Sequence, residues 1–257
     1  MKTPITIIKV GGKIVEERES LLQLLDRFAA IEGNKVLIHG GGRSATKIAE
    51  KLGIESRMID GRRVTDEATL QVVTMVYGGL VNKNIVAGLQ ARGTNALGLT
   101  GADCNIVHAH KRPVKDIDWG FVGDVDGADG KMLAALIAQG IVPVVAPLTH
   151  DGNGNMLNIN ADTMAAETAK ALAPYYDVTL TYCFEFPGVM RNPDDASSVI
   201  PLITPETYSG LKEDGTVSGG MIPKLDNAFN ALAGGVKKVI ITRADAIDGK
   251  QGTHIVQ

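Results

Sequence analysis

Lys9 stands near the end of an apolar run, Ile5 to Val10, and Gly11-Gly12 follow directly. An ammonium in such a run is costly to bury unless it meets an anion, the alternative being a snorkelling lysine at a sheet edge. Lys224 opens a helical segment after Gly219-Gly220-Met221, where a solvent-facing lysine is the simpler reading. Asn158-Ile159-Asn160-Ala161-Asp162 sets polar side chains at the entry of an Ala-rich helix. Asn160 suits an N-cap and Asp162 a first-turn acid, whereas capping leaves Asn158 unexplained. Cations beside glycine-rich backbone suit the handling of an anion. No triad and no poised histidine is evident. His108-x-His110 has the same-face spacing of a strand pair, but no cysteine or acidic partner stands beside it in sequence to complete a metal site.

The elements that must position these residues alternate along the chain. Ile5 to Val10 reads as a strand, and Leu21, Leu22, Leu25 and Phe28 recur at helical spacing. Lys35 to Ile38 is a second strand, ending in His39-Gly40-Gly41-Gly42 and a helix through Lys51. Two helical stretches occupy 66–92, and Asn95 to Leu99 is a strand. Asn105 to His110 and Phe121 to Val125 can pair as a hairpin, and a helix from Lys131 leads into the apolar run Ile141 to Val145. Asp151 to Asn155 carries hairpin-turn chemistry. Ala161 to Ala173 is a helix, Asp177 to Tyr182 a strand, Gly220 to Gly234 a helix, and Lys237 to Thr242 the final strand. This alternation predicts an α/β fold: a three-layer αβα sandwich around a mostly parallel sheet. The whole chain, 1–257, reads as one domain, with a hinge near Ala173-Pro174.

Glycine is abundant, 30 of 257 residues, and its clusters fall after strands. In open parallel sheets, ligands collect there, where strand ends meet helix N-termini. Neither Gly11-Gly12 nor Gly40-Gly41-Gly42 belongs to a Walker A loop. Gly40-x-Gly42-x-x-Ala45 does satisfy a dinucleotide fingerprint, with Asp60 at the spacing of a ribose-binding acid. That reading is an NAD(P)-binding oxidoreductase, although the fingerprint normally follows the first strand. Helix–sheet packing alone is the bland alternative for either cluster.

Composition excludes other classes. Lys plus Arg total 26 against 29 Asp plus Glu, a net charge of −3, which argues against a nucleic-acid partner. The apolar run Ile141 to Leu148 is far too short to span a membrane, and no signal sequence precedes Ile5. Cys104 and Cys183 form no C-x-x-C, so neither a disulfide scaffold nor a zinc site is suggested and a reduced, cytoplasmic protein is expected.

In combination, Ile8-Lys9-Val10-Gly11-Gly12, His39-Gly40-Gly41-Gly42, Gly61-Arg62-Arg63-Val64-Thr65, Asn158 to Asp162 and Gly219 to Lys224 resemble the N-acetylglutamate kinases of the amino acid kinase family. The motifs occur in order and span nearly the whole chain. The resemblance implies ATP-dependent phosphorylation of the side-chain carboxylate of an N-acyl-L-glutamate, in arginine biosynthesis. It implies Lys9 and Lys224 flanking the transferring phosphoryl group, with Asp162 holding both. Gly41, Gly42, Arg63 and Asn158 would bind the acylated amino acid, Arg63 gripping its α-carboxylate. Gly11, Gly12, Glu185, Phe186, Pro187, Gly188, Val189, Met190, Thr216, Val217 and Ser218 would serve the nucleotide. Mg2+ would travel with ATP. Residues 1–174 would form the lobe for the amino acid and dimer contacts, and 175–257 the nucleotide lobe.

The chemistry is consistent with that inventory. A carboxylate nucleophile is already ionised at neutral pH, so catalysis reduces to positioning and charge neutralisation. One stretch departs from the family, whose members carry an Asp before a V-x-G-V turn; here it runs Tyr182-Cys183-Phe184-Glu185-Phe186-Pro187-Gly188-Val189. Five aromatics crowd Tyr175 to Phe186, either as an adenine wall or as an aromatic-rich strand with its packing. Lys111, Arg112 and Lys115 read as a solvated turn. Arginine-inhibited relatives carry an additional N-terminal helix, so arginine insensitivity and a homodimer are expected. A non-catalytic amino-acid sensor on the same fold is the remaining alternative, which paired lysines around a phosphoryl group disfavour.

Overall fold

A computed structural model describes residues 2–59 and 61–257. Asp60, the acid spaced for a ribose, lies outside them. Strand β1 (Thr3–Val10) leads through helices α1 (Gly12–Glu16) and α2 (Arg18–Ala30) to β2 (Asn34–His39) and α3 (Gly42–Lys51). A small hairpin, β3 (Met58–Ile59) with β4 (Arg62–Arg63), precedes α4 (Glu67–Val73). That helix continues through a π-helical segment, Thr74–Val81, into α5 (Asn82–Gln90). Next come β5 (Ala96–Leu99), β6 (Val107–Lys111), β7 (Gly123–Ala128), α6 (Gly130–Ala138), β8 (Val142–Val145), β9 (Leu148–His150), β10 (Met156–Asn158) and α7 (Ala161–Leu172). The chain ends with β11 (Tyr176–Phe184), β12 (Leu202–Ile203), α8 (Pro205–Glu213), α9 (Met221–Ala233), β13 (Lys238–Arg243) and β14 (Thr253–Ile255).

The main sheet has eight strands in the order β12-β14-β13-β11-β1-β2-β8-β5. From β13 to β5 every neighbour is parallel, and β14 runs antiparallel to β13. Side chains of β1 alternate between faces. Ile5 and Ile7 join a core built with α6, α7, α8 and α9, while Ile8 and Val10 join one built with α2, α3, α4 and α5. Helices therefore cover both faces, giving the expected three layers. The first strand lies between β2 and β11, and Val10 stands opposite both His39 and Cys183. Connections leave in both directions there, which opens a crevice at the strands' carboxyl ends.

Some expectations change. The two helical stretches of 66–92 are one continuous helix, Glu67–Gln90, 24 residues long. By length and composition it is apolar enough to cross a bilayer, yet Val72, Val73, Val76, Val81, Ile85 and Leu89 pack into the core beside the sheet. Lys238–Arg243 is not the last strand, because β14 adds beside it and β12 beyond that. The expected hairpin is present as antiparallel β6 and β7, within a separate four-stranded sheet.

Candidate active site

The alternation of β1 turns Lys9 to the same side as Ile5 and Ile7, where α7 begins. Lys9 Nζ lies 2.6 Å from Asp162 Oδ1, and Lys224 Nζ donates to Asp162 Oδ2 at 2.9 Å. Sequence-distant β1, α7 and α9 thus meet in one buried triad. Asn160 caps α7 as expected, its Oδ1 accepting from the amides of Asp162 (2.8 Å) and Thr163 (3.2 Å). Tyr182 adds its hydroxyl to the Asp162 carbonyl at 3.3 Å. Burial works against the Asp162 carboxylate, but the flanking ammoniums of Lys9 and Lys224 outweigh it and hold the group well below the usual carboxylate range. For Lys224, burial and the neighbouring Lys9 charge together lower the ammonium, against the pull of Asp162. Two cations held against one anion leave a surplus positive charge at the crevice floor.

Beside this triad two glycine turns come together. Gly11 N donates to Cys183 O (3.1 Å) and Gly40 N to Val10 O (3.0 Å), extending the sheet ladders by one residue. Beyond those bonds, a Cβ on Gly12 would lie 3.7 Å from the Gly42 nitrogen and 3.8 Å from that of Gly41. Among the described residues, no backbone carbonyl accepts from the amides of Gly12, Gly41 or Gly42. Open donors at the start of α3 are suited to an anion. Gly41 has no room for a side chain: a Cβ there would sit 2.8 Å from Tyr77 Cδ1.

The cleft continues toward Arg63 and Asn158, both almost wholly buried. Arg63 Nη2 donates to Gly42 O (2.9 Å) and Thr46 Oγ1 (2.7 Å), and Nη1 to Ser56 Oγ (2.8 Å). Asn158 Nδ2 donates to Thr65 Oγ1 at 2.9 Å, fixing the amide against the segment between β4 and α4. Met58, Tyr77, Arg112 and Val122 complete the wall. Arg112 corrects the reading of a solvated turn. It forks onto Asp124 at 2.6 and 3.0 Å and lies over the Trp119 ring, lining the cleft. Nothing in local spacing distinguished it from Lys111 and Lys115. Tyr77 was equally hidden, because a buried aromatic in an apolar helix reads as core.

On the opposite side, Glu185 and Phe184 border Gly11 and Gly12. Glu185 pairs with Lys13 (3.2 Å) and Arg43 (3.4 Å), two cations the sequence reading did not single out. Lys13 directly follows the glycine pair, a signal that was available. Phe186 is exposed and meets Phe184 edge-on at 5.7 Å. The chain then turns inward. Gly188 and Val189 are buried, Val189 N donates to Thr253 Oγ1 (2.8 Å), and Met190 bridges to Val199. Thr216 to Ser218 form the turn between α8 and α9, with the Val217 side chain buried and its amide donating to Leu211 O (2.7 Å). Val189 and Val217 therefore present no side chain to the surface, and the Val189 amide and carbonyl and the Val217 amide are all engaged within the chain. His110 pairs with Asp126, and the described residues contain no cluster of three metal-ligating side chains.

The amino acid kinase family profile matches residues 4–243. An acetylglutamate kinase of Bacteroides thetaiotaomicron is 65% identical over 255 residues, covering 99% of each chain. One from Phocaeicola vulgatus is also 65% identical, again over 99% of both. Among solved structures, the smu.665 protein of Streptococcus mutans superposes with a TM-score of 0.82 at 28% identity, covering 98% of each chain. With its glycine turns and lysine–aspartate triad at the centre of the sheet, the chain belongs to the amino acid kinase family.

Proposed function

We propose that the protein transfers the γ-phosphoryl group of ATP to the side-chain carboxylate of N-acetyl-L-glutamate or a close N-acyl-L-glutamate. The products are the 5-phosphate and ADP, in arginine biosynthesis. A carboxylate oxygen forms the new bond to phosphorus as the bond to the β–γ bridging oxygen breaks, and no proton needs to move. The barrier is the approach of an anion to a polyanion, and fixed positive charge lowers it. Lys9 and Lys224 supply that charge from two sides of the transferring group, and Asp162 keeps both ammoniums aimed at it.

Residues 1–174 hold the amino acid: Arg63 takes its α-carboxylate, Asn158 its amide, and the Gly41 and Gly42 amides the reacting end. Residues 175–257 hold the nucleotide through Glu185 to Met190 and Thr216 to Ser218, with Gly11 and Gly12 at its phosphates. Magnesium, when bound, neutralises phosphate charge. Both oxygens of Asp162 are engaged by lysines and Glu185 is paired with Lys13 and Arg43, so the ion would be held by the phosphates and water rather than by these carboxylates. The oxidoreductase alternative is set aside, because the Gly40 turn follows β2 rather than the first strand and the relatives named above are kinases.

Two copies form a homodimer. Strand β5 lies at the sheet's edge, and Leu97 upon it, with Met75 and Leu80 on the long helix, leaves apolar surface exposed. Free Cys104 and Cys183 suit a reducing cytoplasm.

The observation that carries this reading is the Lys9–Asp162–Lys224 triad beside open glycine amides. The test is ADP release from ATP and magnesium across a panel of N-acyl glutamates, with NADH fluorescence as the control. Turnover with N-acetyl-L-glutamate or a near analogue supports the reading. No ADP release with any of them, or an NADH signal instead, opposes it.

A further inference from the structure

His39 ends β2 immediately before the Gly40-Gly41-Gly42 turn, and its side chain is 0% exposed. Its Nδ1 lies 2.7 Å from the Gly40 carbonyl oxygen and its Nε2 3.1 Å from Asn82 Nδ2. The same Asn82 nitrogen donates to Val144 O at 2.9 Å. A carbonyl can only accept, so the amide nitrogen of Asn82 must be the atom on that side, and His39 Nε2 is in turn an acceptor. The ring proton is thereby left on Nδ1, where it donates to Gly40. Asn82 Oδ1 accepts from Lys83 Nζ at 3.0 Å, and Lys83 also donates to Gly98 O at 2.9 Å. Each polar atom in the chain has a partner, which fixes one tautomer. Burial pushes the imidazole down to about 4, so it stays neutral at ordinary pH.

In a trans peptide, C=O and N–H of one unit point in opposite directions. Holding the Gly40 carbonyl toward the imidazole therefore turns the Gly41 N–H away from it. The Gly41 nitrogen is the one lying 3.8 Å from a Cβ position on Gly12, where the two turns converge. Flanked by glycines on both sides, this peptide has wide conformational freedom of its own. A flip would exchange a donor for a carbonyl oxygen in a site built for anions.

We propose that His39, braced by Asn82, is a positioning residue that locks the Gly40–Gly41 peptide so that the Gly41 N–H faces the reacting carboxylate as it joins phosphorus. The inference rests on the kinase reading above. His39 touches no substrate. Asn82 opens α5, and Tyr77, in the preceding turn, packs against Gly41, so one helix holds the turn from two sides.

Three measurements on the full chain test this. The ring tautomer is read from 15N-edited NMR of the wild type, where His39 should carry its proton on Nδ1 from pH 5 to 8; a proton on Nε2 contradicts the proposal whatever any variant does. In steady-state kinetics, His39→Leu removes the donor and should lower kcat about 100-fold, with both KM values within about threefold, as for loss of one preorganised donor. His39→Asn keeps a donor at the Nδ1 position and should recover kcat to within about fivefold of wild type. Wild-type kcat in His39→Leu, equal losses in the two variants, or a change confined to KM would each overturn the assignment. Circular-dichroism melting identifies a variant that has not folded, and the tautomer then decides. A wild type inactive with every N-acyl glutamate would defeat the kinase reading instead, leaving the tautomer result standing by itself.

Discussion

At the residue scale the account turns on what surrounds Asp162. With Lys9 and Lys224 both against it, removing either ammonium leaves the other lysine with the whole carboxylate and, on the proposed reading, takes one donor from the transferring group. Lys9→Ala and Lys224→Ala should each lower kcat by about 10²–10³-fold, measured as ADP release with folding verified by melting. Near-normal turnover in either variant would remove that lysine from the chemistry. Asp162 also makes a pH prediction. Its carboxyl is held below its unfolded value, so the stabilisation is complete above about pH 4 and is lost as pH falls through the depressed folded value. Asp162→Asn should abolish that part of the acid loss, compared below pH 4 by chemical denaturation. It should also cost about 3–5 kcal/mol at neutral pH, because two buried ammoniums lose their counter-ion. An unchanged acid profile would show that the ion pairs do not stabilise the fold. Lys9, Asp162 and Asn160 were legible because a cation in an apolar strand and polar residues at a helix entry are anomalies with few explanations. Arg112 was not, since its partner Asp124 becomes a neighbour only once β6 and β7 pair.

Among the elements, the long helix Glu67–Gln90 does the least expected work. It reads in sequence as two stretches, but the chain runs on through Gly78-Gly79 as a π-helical segment. That segment carries the Tyr77 ring under the Gly41 turn. An alanine methyl at Gly41 must displace the ring, so Gly41→Ala should reduce kcat/KM at least about tenfold. Tyr77→Val in the same chain should return part of that loss, read as the coupling term of a double-mutant cycle. Additive losses would mean the ring does not shape the turn. The strand–glycine–helix units and their parallel order were clear from the sequence because apolar runs and helical periodicity agree there. Helix α8 has no counterpart in the sequence reading, although proline at a first helical position and the Thr204–Thr207 capping box begin a helix. The three-residue β14 has too little pattern to be seen alone.

For the whole molecule, the position of β1 between β2 and β11 explains why residues from three distant parts of the chain share one crevice. The same sheet leaves β5 as an edge, and the apolar residues around it give the dimer prediction. Light scattering of the wild type should give twice 27.1 kDa, and Leu97→Glu with Leu80→Lys should return it to 27.1 kDa. A wild-type monomer would leave Met75, Leu80 and Leu97 without the cover proposed for them. The central claim is met most directly by a crystal structure with magnesium, a non-hydrolysable ATP analogue and N-acetyl-L-glutamate. The account predicts Lys9 Nζ and Lys224 Nζ both within hydrogen-bond reach of oxygens on the terminal phosphorus, with the substrate carboxylate in line on its far side. A terminal phosphate bound away from either ammonium would contradict it.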